Sequence, residues 1–153
     1  MQINTLNSSS LGVPEVIQEI DELMNSLYPA ESNDLLPLHH LDEEHVYFAG
    51  IYQENELAAC GAVVFKDDDG VYGEFKRIYV KPKFRGKDFA RQVIKHLMDT
   101  AQNRAIPVLR LETGNKQAAA INLYESLGFT KRDQFGRYEY DPLSVYMEFS
   151  FPY

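Results

Sequence analysis

A basic, glycine-containing turn at residues 81–90 is the first part of this sequence that could do chemistry. It reads Lys-Pro-Lys-Phe-Arg-Gly-Lys-Asp-Phe-Ala, follows a run of strand-forming residues and opens directly into a helical pattern. A tight loop at the start of a helix presents free backbone N–H groups and the positive end of the helix dipole, which suits a pyrophosphate. The same composition also fits an ordinary exposed turn, so a phosphate site is one of two interpretations.

The strand before this turn, Val71 to Val80, has an irregular pattern. Its apolar residues Phe75, Ile78 and Val80 cannot share one face under strict alternation. A β-bulge near Lys76-Arg77 would shift the phase by one residue and bend the strand away from its neighbour. The alternative is that the last two of these apolar residues face helices on the other side of a sheet covered on both faces.

The surrounding elements predict an α/β (α+β) protein in which a meander of strands is followed by alternating strands and helices. The predicted strands are Gln2 to Leu6, Val46 to Tyr52, Leu57 to Lys66, Val71 to Val80, Val108 to Glu112 and Val145 to Phe151. The predicted helices run from Pro14 to about Tyr28, from about Gly86 to Asn103 and from about Gln117 to Leu127, the last closed by Gly128 in a left-handed conformation. Residues 31–44 lose the apolar period, which predicts a loop or short irregular helix that could cover a substrate.

Composition restricts the functional classes. The chain has 153 residues, a net charge of −8 and one cysteine, and no linker-like segment divides it, so we expect a single domain over residues 1–153. An acidic chain opposes nucleic-acid binding. The absence of a bilayer-length apolar run or a signal-peptide pattern predicts no membrane association and a cytoplasmic location. Cys60 lies in an apolar run and is expected to be a buried structural thiol. His39 and His40 are adjacent, and neighbouring residues rarely both bind one ion, so we predict no metal site.

Two motifs identify a family that the chain resembles. Residues 85–90 read Arg-Gly-Lys-Asp-Phe-Ala and fit the loop motif R/Q-x-x-G-x-G/A at every position except one. Residues 120–129 read Ala-Ile-Asn-Leu-Tyr-Glu-Ser-Leu-Gly-Phe and match the helix motif A-x-x-L-Y-x-x-x-G-F closely. In this order and at this separation the motifs resemble the GNAT superfamily of acyl-CoA-dependent N-acetyltransferases. The resemblance implies a mixed, mostly antiparallel central sheet with a bulged, splayed strand pair and helices on both faces.

The resemblance also implies the reaction and its residues. The reaction would be transfer of an acetyl group from acetyl-CoA, without a metal, to the primary amine of a small molecule by direct attack in a ternary complex. By position, Tyr124 would protonate the departing thiolate, and the alternative is that it is an aromatic residue of the core. Glu74 would be the general base, and the alternative is that it is an exposed strand residue. The implied coenzyme A ligands are Ile78, Tyr79, Val80, Arg85, Gly86, Lys87, Asp88, Phe89, Ala90 and Gln117.

Asp88 departs from the family motif, because glycine normally occupies its position. Glycine lets phosphate oxygens approach the backbone, whereas an aspartate adds a Cβ and a negative charge. We expect the side chain to point to solvent and to cap the first turn of the following helix. If the carboxylate instead prevented productive binding, the domain would be a ligand sensor or an interaction module.

The acceptor is the part of the function that the sequence determines least. The predicted acceptor residues are Tyr28, Glu31 and Arg77. Acidic residues in the segment 31–44 suit a cationic amine, and Arg77 or Arg137 would suit a carboxylate, so an amino-acid-like acceptor is allowed. A protein N-terminus or lysine is the competing acceptor, and it would require an open groove in place of a closed pocket. A homodimer is also left open.

Overall fold

Seven strands form one open sheet in the computed structural model, which describes residues 2–153. They are β1 (Asn4–Thr5), β2 (Val46–Gln53), β3 (Glu56–Lys66), β4 (Tyr72–Val80), β5 (Val108–Gly114), β6 (Thr130–Arg132) and β7 (Ser144–Ser150). Their spatial order is β1-β2-β3-β4-β5-β7-β6, and among these neighbours the β4–β5 pair is parallel while the others are antiparallel. The predicted mixed, mostly antiparallel sheet is confirmed.

Helices cover both faces of this sheet, as predicted. They are α1 (Val13–Leu27), α2 (Phe89–Asn103) and α3 (Ala118–Ser126), with short 3-10 turns at Ala30–Ser32, Leu38–Asp42 and Pro82–Phe84. The apolar residues of α1 recur at helical spacing and pack with Phe48 and Cys60 on one face. Those of α2 and α3 pack with Phe75 and Leu111 on the other face.

The predicted β-bulge is present in β4. Lys76 and Tyr79 pair with β3 residues that have only Gly61 between them, so Arg77 and Ile78 together oppose that one glycine. Arg77 takes a left-handed φ of 59°, and the extra residue returns Ile78 to the α2 face of the sheet. Gly61 leaves the necessary room, because a Cβ there would lie 2.6 Å from the Cδ1 atom of Ile78.

The parallel β4–β5 ladder is short. Its paired residues are Gly73 with Leu109, Glu74 with Arg110 and Phe75 with Leu111. Beyond these pairs β4 remains bonded to β3 and β5 to β7, and the described residues show no further β4–β5 pairing. The two strands therefore diverge at their carboxyl ends, which confirms the predicted splayed pair.

Some boundaries differ from the prediction for local reasons. Helix α2 starts at Phe89 and not near Gly86, because Gly86 and Asp88 adopt left-handed φ angles of 83° and 68°. Strand β6 was not predicted, since its short polar run carries no alternation. Cys60 is buried, and burial raises the pKa of its thiol to about 12, as suits a structural residue. Within residues 2–153, none of the helices combines the length and hydropathy required to cross a membrane.

Candidate active site

A cleft of about 630 Å³ lies between the diverging ends of β4 and β5. Its walls extend from one face of the sheet to the other. The N-terminal turn of α2 and helix α3 line what we call the α2 side, and the last turns of α1 with residues 32–36 line what we call the α1 side. In open sheets that contain parallel strands, ligands bind at the carboxyl ends of the strands where neighbours part, so this cleft is the candidate active site.

The α2 side contains the predicted phosphate turn. Arg85, Gly86, Asp88, Phe89 and Ala90 all line the cleft. No side chain caps the N-terminus of α2, so N–H groups of its first turn remain free to bind an anion. Lys87 is the exception among the predicted loop ligands, because it is exposed and does not line the cleft.

Asp88 is exposed as expected but does not cap the helix. Its side chain is 64% exposed and its carboxylate lies 3.4 Å from Nε of Arg91. A capping side chain requires an extended backbone at the cap position, whereas Asp88 is left-handed with φ 68° and ψ 18°. Glycine adopts this left-handed conformation freely, and aspartate tolerates it better than most residues.

Asp88→Gly is therefore expected to change coenzyme A affinity only slightly. Glycine adopts the same left-handed angles, and the carboxylate that it removes is already turned to solvent and paired with Arg91. Titration calorimetry with both proteins should give dissociation constants within a factor of ten, about 1.4 kcal/mol. A larger gain in affinity would mean that the carboxylate repels the pyrophosphate.

The strand wall of the cleft is the part of β4 that follows the bulge. Ile78, Tyr79 and Val80 all line it. One edge of this stretch pairs with β3, and the other faces the cleft where β5 has turned away. Backbone groups on that edge can bind an extended, amide-containing ligand as a neighbouring strand would.

Tyr124 lies in the cleft wall and is positioned by the end of α3. The N–H groups of Gly128 and Phe129 donate to the carbonyls of Glu125 and Tyr124 at 3.1 and 3.0 Å, the Schellman pattern that a left-handed glycine allows. The ring of Phe129 packs on that of Tyr124 with centroids 5.7 Å apart. Burial raises the pKa of the phenol above its usual range, so Tyr124 stays protonated and can act as a proton donor.

Glu74 is brought to a different place from the one that a base requires. It is completely buried and does not line the cleft. Its carboxylate lies 2.6 Å from Nζ of Lys66 and 3.3 Å from Nζ of Lys76, and it accepts a hydrogen bond from the Tyr138 hydroxyl. The carboxylate belongs to the paired part of β4, before the strands separate, and this geometry gives no support to the predicted catalytic role.

Glu112 is a carboxylate that lines the cleft between the two strands, and the sequence analysis missed it. It follows Leu111, the last residue of β5 that pairs with β4, so it is the first β5 residue on the open part of the strand. Ser144 Oγ donates to its Oε2 at 2.7 Å, and burial raises the pKa of the carboxyl group. Its position at the carboxyl end of a strand was the signal available.

Two more of the predicted site residues, Tyr28 and Gln117, line the cleft. The Tyr28 hydroxyl accepts the Lys116 N–H at 3.0 Å. The Tyr28 ring lies on Gly114, where a Cβ would come within 1.9 Å of the hydroxyl oxygen. Gln117, at the N-terminus of α3, also lines the cleft.

Two other predicted acceptor residues lie outside the cleft lining or are hydrogen-bonded within the protein. Glu31 sits on a 3-10 turn, exposed and outside the cleft lining. Arg77 lines the cleft, but its guanidinium group donates to Asp21 at 2.6 Å and to the Leu36 carbonyl at 2.8 and 3.0 Å. Arg137 is exposed and also lies outside the lining.

Among residues 2–153, no group of three or more His, Cys, Asp and Glu side chains is arranged to hold a metal ion.

Comparison with known proteins decides the family. Residues 13–129 match the model of the Acetyltransferase (GNAT) family. The chain belongs to the GNAT acetyltransferase family. It is 40% identical over 136 residues to an IAA acetyltransferase of Azospirillum brasilense, covering 89% of this chain and 88% of the relative.

Two further similarities support the membership of this acetyltransferase. A solved structure from Klebsiella pneumoniae, assigned as an acyl-CoA N-acyltransferase, superposes with a TM-score of 0.82 at 32% identity and covers 96% of this chain and 94% of that one. A ribosomal protein bS18-alanine N-acetyltransferase of Escherichia coli is 29% identical over 126 residues, which cover 71% of this chain and 82% of the relative. The family inferred from the two sequence motifs is confirmed, and the chain is a GNAT acetyltransferase.

Proposed function

We propose that this acetyltransferase transfers the acetyl group of acetyl-CoA to the primary amine of a small molecule by direct attack in a ternary complex. The observation that carries the proposal is the single cleft between β4 and β5. An uncapped helix N-terminus lines one side of it, and residues 32–36, which are hydrogen-bonded to β4, narrow the other side, where an acceptor would bind. Donor and acceptor can therefore meet between the strands.

Acetyl-CoA would enter from the α2 side. Its pyrophosphate would bind the free N–H groups at the start of α2, and Arg85 would add positive charge. Its pantetheine arm would lie along the open edge of β4 at Ile78 to Val80. This path leads the thioester towards Tyr124, and the chemistry that follows needs no metal ion.

The chemistry needs one base and one acid. An amine attacks only when it is neutral, so Glu112 would accept a proton from the incoming ammonium group, directly or through water. The amine nitrogen would then form a bond to the thioester carbonyl carbon, and the carbon–sulfur bond would break. Tyr124 would give its phenolic proton to the departing thiolate, which becomes the free thiol of coenzyme A. The nitrogen, which is still cationic after the attack, would lose its remaining excess proton to the Tyr124 phenolate, directly or through water, and this leaves a neutral amide and restores the phenol.

The segment that narrows the α1 side favours a small acceptor. Lys76 Nζ donates to the Asp34 carbonyl at 2.7 Å, and Arg77 donates to the Leu36 carbonyl, so residues 32–36 are tied to β4. A peptide acceptor, as the name of the bS18-alanine relative describes for that protein, would need a groove that this segment occupies.

Acetyl-CoA at 100 times its dissociation constant is expected to raise the melting temperature. Because the ligand binds only the folded protein, it adds about 2.7 kcal/mol to the free energy of unfolding at that excess. With roughly 2 to 4 °C per kcal/mol for a chain of this length, the rise should be roughly 5 to 11 °C. Differential scanning fluorimetry measures it directly, and a melting temperature that does not move at millimolar acetyl-CoA would contradict binding in the cleft.

A thiol-release assay across acceptor classes tests the proposed function. Free thiol is followed with amines, amino acids and peptides as acceptors, and the concentrations of donor and acceptor are both varied. We expect turnover with a small amine and initial-rate lines that intersect, since both substrates must be bound before transfer. Parallel lines would indicate an acetylated enzyme instead, and turnover restricted to peptides would replace the small-molecule acceptor by a protein.

A further inference from the structure

We infer that the acceptor of this enzyme is a primary amine with an apolar body and no carboxylate, as in a phenylalkylamine or an alkylamine. This inference deepens the proposed function and rests on it. Because the phosphate turn lies on the α2 side, the acceptor must approach the thioester from the α1 side. The side chains of the α1 side therefore determine which acceptor is recognised.

Aliphatic side chains form most of the wall on the α1 side. Helix α1 and the segment that follows it contribute Ile20, Leu23, Met24, Leu27, Leu35 and Leu36. Such a wall binds an apolar substrate body by excluding water and offers little to a strongly hydrated group.

Lys76, one of two cations on this side, is already occupied. Its ammonium group donates to the carbonyl and the carboxylate of Asp34 at 2.7 and 3.0 Å and to the Tyr138 hydroxyl at 2.6 Å. Glu74 lies 3.3 Å away as a further carboxylate partner. An ammonium group has three hydrogens to donate, so Lys76 has none left for a substrate carboxylate.

Arg77, the other cation, is buried and held by its neighbours. Its side chain is 2% exposed and its guanidinium group is shared between Asp21 and the Leu36 carbonyl. Lys116 lies beside the rim but outside the lining, where it donates to the Leu27 carbonyl at 3.1 Å. A carboxylate on the α1 side would therefore lose its hydration without gaining an accessible cationic partner from the lining of that side, which is costly.

A substrate ammonium group, in contrast, meets a favourable field. Glu112 lines the cleft, and burial raises its pKa although the Ser144 hydrogen bond and the Lys76 charge lower it; the charges of Asp34 and Glu74 also raise it. The ammonium group can pair with Glu112 on arrival and then give up its proton there. The apolar wall and the carboxylate together recognise an amine attached to a hydrocarbon.

A matched substrate pair tests this inference. 2-Phenylethylamine and phenylalanine share their ring and amine and differ by one carboxylate. We expect kcat/KM to be roughly 10²-fold higher or more for the amine, because sites that leave a polar group unpaired discriminate strongly. We also expect kcat/KM to rise from butylamine to hexylamine, since the added methylenes contact the aliphatic wall.

Met24→Lys would add to the α1 side a cation that is not already paired within the protein. This variant should gain activity with phenylalanine and lose activity with 2-phenylethylamine, so that the ratio of kcat/KM values falls at least tenfold. Gln18→Lys is the matched control, because Gln18 is an exposed residue of the same helix outside the cleft and the charge change is identical. Its ratio should equal that of the wild type.

The outcomes separate the inference from the function on which it rests. Equal or faster acetylation of phenylalanine, or a preference for 1,4-diaminobutane over hexylamine, would overturn the apolar, carboxylate-free acceptor and leave the acetyltransferase proposal intact. Binding of acetyl-CoA without acetylation of any amine, amino acid or peptide would overturn both.

Discussion

Tyr124→Phe is expected to lower kcat about 10²-fold, at the lower end of the range for general acid catalysis, because the thiolate of coenzyme A is already a fair leaving group. The substitution keeps the ring that packs on Phe129, so the fold should persist. The hydroxyl acts mainly in the transition state, and the dissociation constant of acetyl-CoA should hardly change. Single-turnover rates and calorimetry measure the two quantities separately.

Tyr52→Phe is the matched control for this experiment. The Tyr52 hydroxyl donates to the Leu11 carbonyl at 2.6 Å, and the residue lies outside the cleft lining. The control should lose about 1 kcal/mol of stability with the hydrogen bond and keep the wild-type kcat. If a folded Tyr124→Phe protein retained more than about half of the wild-type single-turnover rate, Tyr124 would be a core residue and the acid would lie elsewhere.

Glu112→Gln is expected to lower kcat/KM by about 10²- to 10⁴-fold with an amine acceptor, because it removes the only proton acceptor proposed for the ammonium group. Glutamine keeps the shape of the side chain and can still bond Ser144. In the wild type, kcat/KM should fall on acidification with a midpoint above the ordinary glutamate value of about 4.3, since burial raises the pKa of this carboxyl group. The variant should lack that limb.

The stability of two glutamine variants distinguishes the roles of Glu112 and Glu74. A carboxyl group whose pKa is raised by folding stabilises the fold at low pH and loses that contribution as pH rises through the folded pKa. At neutral pH, Glu112→Gln should therefore keep or raise the melting temperature. Glu74→Gln leaves Lys66 and Lys76 without their buried partner, which costs about 3 to 5 kcal/mol.

Activity measured on the same two proteins completes the comparison. Glu74→Gln should melt roughly 6 to 20 °C lower than the wild type and, below its transition, keep most of its kcat/KM. An intact Glu112→Gln enzyme together with a folded but inactive Glu74→Gln enzyme would restore the base that the sequence suggested and remove the one proposed here.

The choice between these two glutamates shows why part of the site could not be read from the sequence. Glu74 and Glu112 both lie in strands, and nothing in the chain states where the ladder between β4 and β5 ends. The ladder ends at Phe75 and Leu111, which leaves Glu74 inside the paired region and Glu112 just beyond it. Register between strands far apart in sequence is a tertiary property, and it decides whether a carboxylate lies within the ladder or lines the cleft.

Features with a local cause were predictable. The slipped apolar phase of β4 indicated a bulge near Lys76-Arg77 as one of two interpretations, and the structure has that bulge. The Gly-Phe end of the second motif corresponds to the left-handed cap that packs Phe129 on Tyr124. Asp88 was only half predictable, because a side chain at a helix start suggests a cap while its backbone angles forbid one. The engagement of Arg77 by Asp21 and Leu36 joins three separate elements and left no local signal.

The central claim, acetyl transfer to an amine within the cleft, is tested most directly by product stoichiometry. Purified enzyme is mixed with acetyl-CoA and 2-phenylethylamine, free thiol is followed spectroscopically, and the N-acetylated amine is quantified by mass spectrometry in the same samples. We predict one acetylated amine for each thiol released, with both rates falling together in Tyr124→Phe. Thiol release without an acetylated amine, or no release with any amine, would contradict the claim.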